Sequence, residues 1–137
     1  MRSLLFAAPI LTAALLSSCG NPAPANTFVG NYTGTFTVVG APDNGTLSLN
    51  VLGDGNLSGT ITLTSSSTPP KPTSSVSGTI ANDGTLNATY QYGGGTFPVV
   101  TLKGTVTLNG SIATGTLNVT APGVTGANQV MVNLTRK

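Results

Sequence analysis

Alternation of apolar and polar residues is the feature that most constrains this chain, and it dominates from Thr27 to Lys137. Segments such as Leu47-Ser48-Leu49-Asn50-Val51 place every second side chain on one face, which is typical of a half-buried β-strand. No helical periodicity is found in this region. Thr, Val, Leu and Ile fill the alternating segments, and Gly, Asn, Asp and Pro separate them. The pattern therefore predicts an all-β fold.

The alternation and its interruptions predict eight strands. Their expected bounds are Phe28–Val39, Gly45–Leu52, Asn56–Thr64, Ser74–Ala81, Thr85–Tyr92, Val99–Leu108, Ser111–Thr120 and Gln129–Arg136. Hairpin turns are expected at Gly53-Asp54-Gly55-Asn56, Asn82-Asp83-Gly84 and Asn109-Gly110, whose residues tolerate positive φ. Short antiparallel strands joined by hairpins predict an eight-stranded up-and-down β-barrel, with a β-sandwich as the alternative. Closure would remove exposed strand edges.

A short motif, apolar–polar–Gly–Thr–apolar, recurs within these strands at 32–36, 57–61, 76–80, 102–106 and 113–117. Its glycine always falls in the inward phase. Glycine inside a strand marks a bend, a bulge or a close approach of backbones, which tightly coiled strands of a small barrel require. A glycine-lined ligand slot is the alternative. Ile112 is out of phase with Gly115, which predicts a bulge within the seventh strand.

The composition excludes several classes of function. Charged residues make up 6% of the 137 residues, and there is no His and no Glu, so a His-based triad, an imidazole metal site and a Glu general acid are all excluded. With a net charge of +2 and five basic residues, the chain lacks the basic patch that nucleic-acid binding requires. Asp43, Asp54 and Asp83 fall in or near turns, and a calcium site at the last two is a minor alternative. We expect a non-enzyme with no cofactor and no metal.

The N-terminus has the features of a secretory signal. Arg2 supplies a positive charge, and the apolar stretch from Leu4 to Leu16 is too short to span a membrane but has the length of a signal-peptide core. The sequence Leu16-Ser17-Ser18-Cys19 resembles the lipobox of bacterial lipoproteins. The resemblance implies that residues 1–18 are a signal peptide and that Cys19 is lipidated and begins the mature protein. The alternatives are an ordinary signal peptide with an incidental Cys, or a buried thiol.

The resemblance also implies a location. Gly20 rather than Asp follows the cysteine, which in this family favours the outer membrane of the cell envelope. Residues 19–27 would be the lipidated Cys and a flexible tether, since their prolines disfavour helix, and residues 28–137 would be the barrel domain. Two or more acyl chains give stable attachment to a bilayer. We expect a monomer that meets the membrane through Cys19 and does not cross it, because a spanning barrel would need apolar outer faces and aromatic girdles.

The strand count and the GxYxGxF pattern over 30–36 loosely resemble small lipocalin-like barrels, although the chain has no Trp for the lipocalin Gly-x-Trp signature. Aromatic residues are the candidate ligand or partner contacts. They are Tyr32 in the first strand, and Tyr90, Tyr92 and Phe97 around a triple glycine. The alternative is that Tyr90 and Tyr92 simply plug one end of the barrel.

Two functions remain open at this point. The first is a non-catalytic structural or interaction module whose Thr-rich faces and loops meet another envelope protein. The second is a carrier of a small apolar ligand in the barrel interior. An eight-stranded barrel has room either for its own side chains or for one small ligand, so the volume of the interior discriminates between the two functions.

Overall fold

The computed structural model describes residues 23–64, 72–91, 98–123 and 128–137. The described residues form eight strands: β1 (Gly30–Val38), β2 (Asn44–Val51), β3 (Asn56–Leu63), β4 (Thr73–Ile80), β5 (Thr85–Tyr90), β6 (Val100–Asn109), β7 (Ile112–Thr120) and β8 (Asn128–Arg136). Each strand pairs antiparallel with its neighbours in sequence, and β1 pairs with β8. The sheet is a closed up-and-down barrel, as predicted, and not a sandwich. Within these residues no helix is long and apolar enough to cross a membrane.

The strand bounds agree with the expected ones to within two residues. The prediction of a bulge in the seventh strand is wrong. The pairing of β7 runs without interruption from Asn109↔Ile112 to Thr101↔Thr120 on one side. Ile112 points outward and is 48% exposed, whereas Ala113 is 2% exposed and occupies the inward position. The apparent break in phase arises because a small residue faces the core here and a large apolar one faces solvent.

The inward side chains of all eight strands meet in one hydrophobic core, and the outward ones are mainly Thr, Ser and Asn. The buried core residues are Phe28, Tyr32, Phe36, Leu47, Leu49, Val51, Leu57, Ile61, Val76, Ile80, Leu86, Ala88, Leu102, Val106, Ala113, Leu117, Val130, Val132 and Leu134. Every strand is paired on both sides, and the core extends from Phe28 to Leu134. The closed barrel and its described core therefore lie within residues 26–137, which the segment 20–137 contains.

The glycines of the recurring motif lie where adjacent backbones come closest. A Cβ atom added at any of the five would overlap a carbonyl oxygen of the neighbouring strand. The pairs are Gly34 with Asn133, Gly59 with Ser48, Gly78 with Asn87, Gly104 with Thr116 and Gly115 with Thr105. This confirms the close approach of backbones that the motif predicts for tightly coiled strands. None of the five glycines lines either interior cavity described below.

The two ends of the barrel are built differently. At one end, here called the closed end, the strands are joined by short turns at 52–55, 81–84 and 110–111, and both the N-terminal segment and the C-terminus lie there. At the other, here called the open end, the connections span 39–43, 64–72, 91–99 and 121–127. Because the strands alternate in direction, all connections of one kind fall at the same end.

Candidate functional site

The N-terminal segment caps the closed end through the buried side chain of Asn26. Its amide nitrogen Nδ2 donates to the carbonyl of Ile80 at 2.7 Å, and its Oδ1 accepts from the backbone N–H of Phe28 at 2.8 Å. Its own backbone N–H donates to the carbonyl of Gly53 at 3.0 Å. The cap carries Phe28 into the core, where it is 4% exposed. The anchored part of the chain thus begins at Asn26, two residues before the expected domain boundary.

Arg136 ties the two ends of the folded chain together at the closed end. Its guanidinium donates to the carbonyls of Thr27 and Gly110 at 3.3 Å and to that of Val29 at 3.4 Å. The backbone N–H of Lys137 donates to the carbonyl of Asn31 at 2.9 Å. The N-terminal segment and the C-terminal end of β8 therefore lie side by side at the closed end.

Asp54 and Asp83 stabilise the turns of the closed end. The carboxylate of Asp54 accepts from the backbone N–H of Asn56 at 3.0 Å, and that of Asp83 accepts from the backbone N–H of Thr85 at 2.9 Å. These backbone hydrogen bonds hold the pKa of each aspartate below its usual value. Among the described residues no three His, Cys, Asp or Glu side chains group as metal ligands would. Each aspartate has a local role in its own hairpin.

Side chains fill the middle of the barrel almost completely. A cavity of about 40 Å³ remains there, and its walls are apolar apart from Tyr32, which is 3% exposed. The buried hydroxyl of Tyr32 has no hydrogen-bond partner among the described residues. A buried water needs two to four polar partners, and Tyr32 alone does not provide them. This central cavity is therefore a packing gap rather than a binding site.

A larger cavity, of about 190 Å³, lies at the open end of the barrel. It is lined by Phe36, Val38, Asp43, Leu47, Ile61, Leu63, Tyr90, Leu102, Val119, Asn128, Val130 and Val132. Four of these residues, Val38, Leu63, Tyr90 and Val119, are only partly buried and pack against the core from this end. The open-end cavity is the candidate functional site, since it combines volume with access.

Ser74 adds an unsatisfied polar group beside this cavity. It is 5% exposed, and its hydroxyl has no hydrogen-bond partner among the described residues. Its cross-strand neighbour is Ile61, which lines the cavity. Buried hydroxyls in native structures are usually hydrogen-bonded to protein or to water. The wall of the open-end cavity therefore has one adjacent hydroxyl whose hydrogen-bonding capacity is unused.

The structure separates the aromatic residues that the sequence suggested as contacts. Tyr32 lines the central cavity and Tyr90 lines the open-end cavity, so the two do not contribute to one cavity. Tyr92, Phe97 and Cys19 lie outside the described residues. Sequence reasoning did not identify Val38, Leu63 and Val119 as lining residues of the open-end cavity. The available signal was their position, because each is an inward-phase residue at the end of a strand that leads into a long connection.

The outer surface offers a second, polar feature. A shallow groove crosses β6, β7, β8 and β1, where Gly115 leaves space between larger side chains. Five threonines border it, namely Thr35, Thr37, Thr107, Thr114 and Thr116, together with Met131 and Asn133. Met131 is 52% exposed at this groove. The groove therefore combines hydroxyl groups with an exposed apolar side chain.

The lining of the open-end cavity is mainly apolar, and Asp43 is the charged residue among its described lining residues. Comparisons of this chain with protein-family models, with curated proteins and with solved structures found no match.

Proposed function

We propose that this chain is a lipid-anchored lipoprotein of the bacterial cell envelope, located at the outer membrane, with a non-catalytic barrel that acts as an interaction module. The observation that carries the proposal is the lipobox-like sequence ending at Cys19, seven residues before the capping residue Asn26. Cys19 is the one cysteine of the sequence. A diacylglycerol on its thiol, with a further acyl chain on the new N-terminus, gives stable attachment.

The geometry of the N-terminal segment supports this arrangement. Asn26 enters at the closed end, so an anchor at Cys19 holds that end toward the bilayer. Seven residues of extended chain reach at most about 25 Å, at 3.3–3.6 Å per residue. The open end then faces away from the membrane, toward other components of the envelope.

The surface of the barrel supports contact with proteins more than catalysis. Its outward side chains are mainly Thr, Ser and Asn, and its strand edges are all paired. Asp54 and Asp83, two of the three acids in the sequence, are engaged in hairpin turns. The groove around Gly115 and Met131 is the surface on which we expect a protein partner to dock.

Replacement of Cys19 tests the anchor directly. Cells expressing the wild-type chain, Cys19→Ala or the matched control Ser18→Ala are labelled with an alkyne analogue of palmitate and then fractionated. We expect label and membrane association for the wild type and for Ser18→Ala. Cys19→Ala removes the thiol that would accept the lipid, so we expect no label and no stable membrane association of a mature form.

Equal labelling and equal membrane association of Cys19→Ala and the wild type would contradict the anchor. A mature wild-type protein that begins at another residue, seen by mass spectrometry, would contradict the cleavage site. A start at another residue would leave an ordinary signal peptide with an incidental Cys as the better description.

A ligand carrier is the second candidate function, and the open-end cavity favours it. The cavity of about 190 Å³ is not filled by the described core, although the middle of the same barrel is. A barrel with only a structural role gains dispersion contacts by filling such a space. The cavity therefore supports a binding role in addition to the anchor.

A further inference from the structure

We infer that the open-end cavity binds the apolar part of one small ligand, a ring or chain of about six carbons whose polar end is neutral or cationic. The inference rests on the second candidate function, the ligand carrier, and it adds the site and the class of ligand. It does not depend on lipidation of Cys19. The carrying observation is the cavity itself, enclosed by side chains of β1, β2, β3, β5, β6, β7 and β8.

The volume sets the size of the ligand. An apolar cavity of about 150 Å³ in another protein binds benzene. At about 190 Å³, the open-end cavity accommodates a group of similar size or slightly larger. It is too small for the acyl chains of a phospholipid or for a polycyclic pigment, since drug-sized ligands occupy about 300–1,000 Å³.

The walls of the cavity set the chemistry of the buried part. Val38, Leu63 and Val119 surround the entrance, and Leu102 and Val132 lie among the lining residues. Each methylene group transferred from water to such surroundings contributes about 0.8 kcal/mol. A hydrocarbon group is therefore the part of the ligand that enters, and a charged group would lose its hydration without compensation.

Two residues at the entrance set the chemistry of the polar end. Asp43 and Asn128 are exposed and line the cavity on the side of the connections. A carboxylate at this position attracts an amine and repels an anion.

The test is an NMR titration of residues 20–137 with hexan-1-ol, hexylamine and hexanoate. Val38→Phe fills the cavity from the end of β1, and Val39→Phe is the matched control, because Val39 is the next residue and is 47% exposed. We expect the alcohol and the amine to shift the resonances of the cavity lining. Val38→Phe should weaken binding about tenfold, as expected when burial of two methylene groups is lost, while Val39→Phe changes it less than about twofold.

A second variant keeps the test informative if Val38→Phe proves unstable. Asp43→Asn removes the charge at the entrance and should abolish any preference for hexylamine over hexanol. The inference is overturned if no probe shifts the cavity residues, if Val38→Phe folds and binds as well as Val39→Phe, or if hexanoate binds most tightly. Failure of this test would leave the result with Cys19→Ala unaffected, so the two proposals fail separately.

Discussion

The closed and open ends of this barrel differ in how completely the described side chains fill the interior. At the closed end, short turns and the Asn26 cap cover a core whose central cavity has a volume of about 40 Å³. At the open end, four inward residues remain partly buried around about 190 Å³ of space. The comparison shows that close packing and open space are separated along the axis of the barrel. The first two predictions below compare one variant at each end, and the third concerns the closed end alone.

The largest expected effect concerns two glycines with nearly equal backbone angles. Gly84 has φ of +83° at the closed end, and a Cβ atom added there would overlap the carbonyl oxygen of Val106. Gly40 has φ of +79° at the open end, and a Cβ atom added there would have no other atom within 4 Å. Gly84→Ala should cost about 3 kcal/mol or more, the sum of left-handed strain and overpacking. Gly40→Ala should cost only about 1 kcal/mol of strain. Urea unfolding of both variants measures the difference.

Equal losses for the two variants would contradict this prediction, since they would show that the backbone angle alone determines the cost. The close packing of the 81–84 turn against β6 would then contribute little to the stability of the closed end.

The next effect concerns two asparagines that differ in burial. Asn26→Ala leaves the carbonyl of Ile80 and the N–H of Phe28 without partners at the closed end, which should cost about 2–3 kcal/mol. Asn44, at the open end, accepts from the hydroxyl of Thr64 at 2.6 Å on the exposed surface. Asn44→Ala should cost less than about 1 kcal/mol. Thermal unfolding of both variants at one pH checks the ranking.

A loss for Asn26→Ala no larger than that for Asn44→Ala would mean that the N-terminal segment is only loosely attached. The distance between a lipidated Cys19 and the barrel would then be greater than the arrangement proposed above allows.

The smallest effect is a dependence of stability on pH that comes from the closed end. The pKa values of Asp54 and Asp83 are lowered in the fold, chiefly by the backbone N–H groups of Asn56 and Thr85. Their contribution is therefore fully present above the unfolded-state pKa of about 3.9 and is lost as pH falls through the lower folded values. The midpoint of urea unfolding should be flat from pH 7 to about 5 and should fall below about pH 4.

The double variant Asp54→Asn, Asp83→Asn serves as the control, because it keeps an acceptor oxygen in each turn without a titrating group. Its unfolding midpoint should change less between pH 5 and pH 3 than that of the wild type. An equally steep change in both proteins would place the pH dependence elsewhere in the chain.

The closed end could be predicted from the sequence in more detail than the open end. Asp54-Gly55 and Asp83-Gly84 specify their turns locally, since the aspartate accepts from the backbone two residues on and the glycine adopts positive φ. Period-two alternation gave the strands and the inward face in the same way. These features depend on neighbours in sequence, which is why they could be read without the fold.

The open-end cavity could not be predicted, because its walls come from residues far apart in the chain. Val38, Leu63 and Val119 each look like ordinary strand residues, and only closure of the barrel brings them around one space. The wrong prediction of a bulge near Ile112 has a related cause. Apolar character alone suggested an inward residue, and the register of β7 with β6 assigns that position to Ala113.

The capped N-terminal segment also determines how the barrel would respond to mechanical load. A pull on the chain before Asn26, resisted by a partner held at the open end, acts along the axis of β1. That strand is bonded on one side to β2 and on the other to β8, and these bonds lie across the direction of pull. The hydrogen bonds of both ladders must then break together instead of one at a time. The barrel would therefore resist unfolding by a force applied through its N-terminal segment.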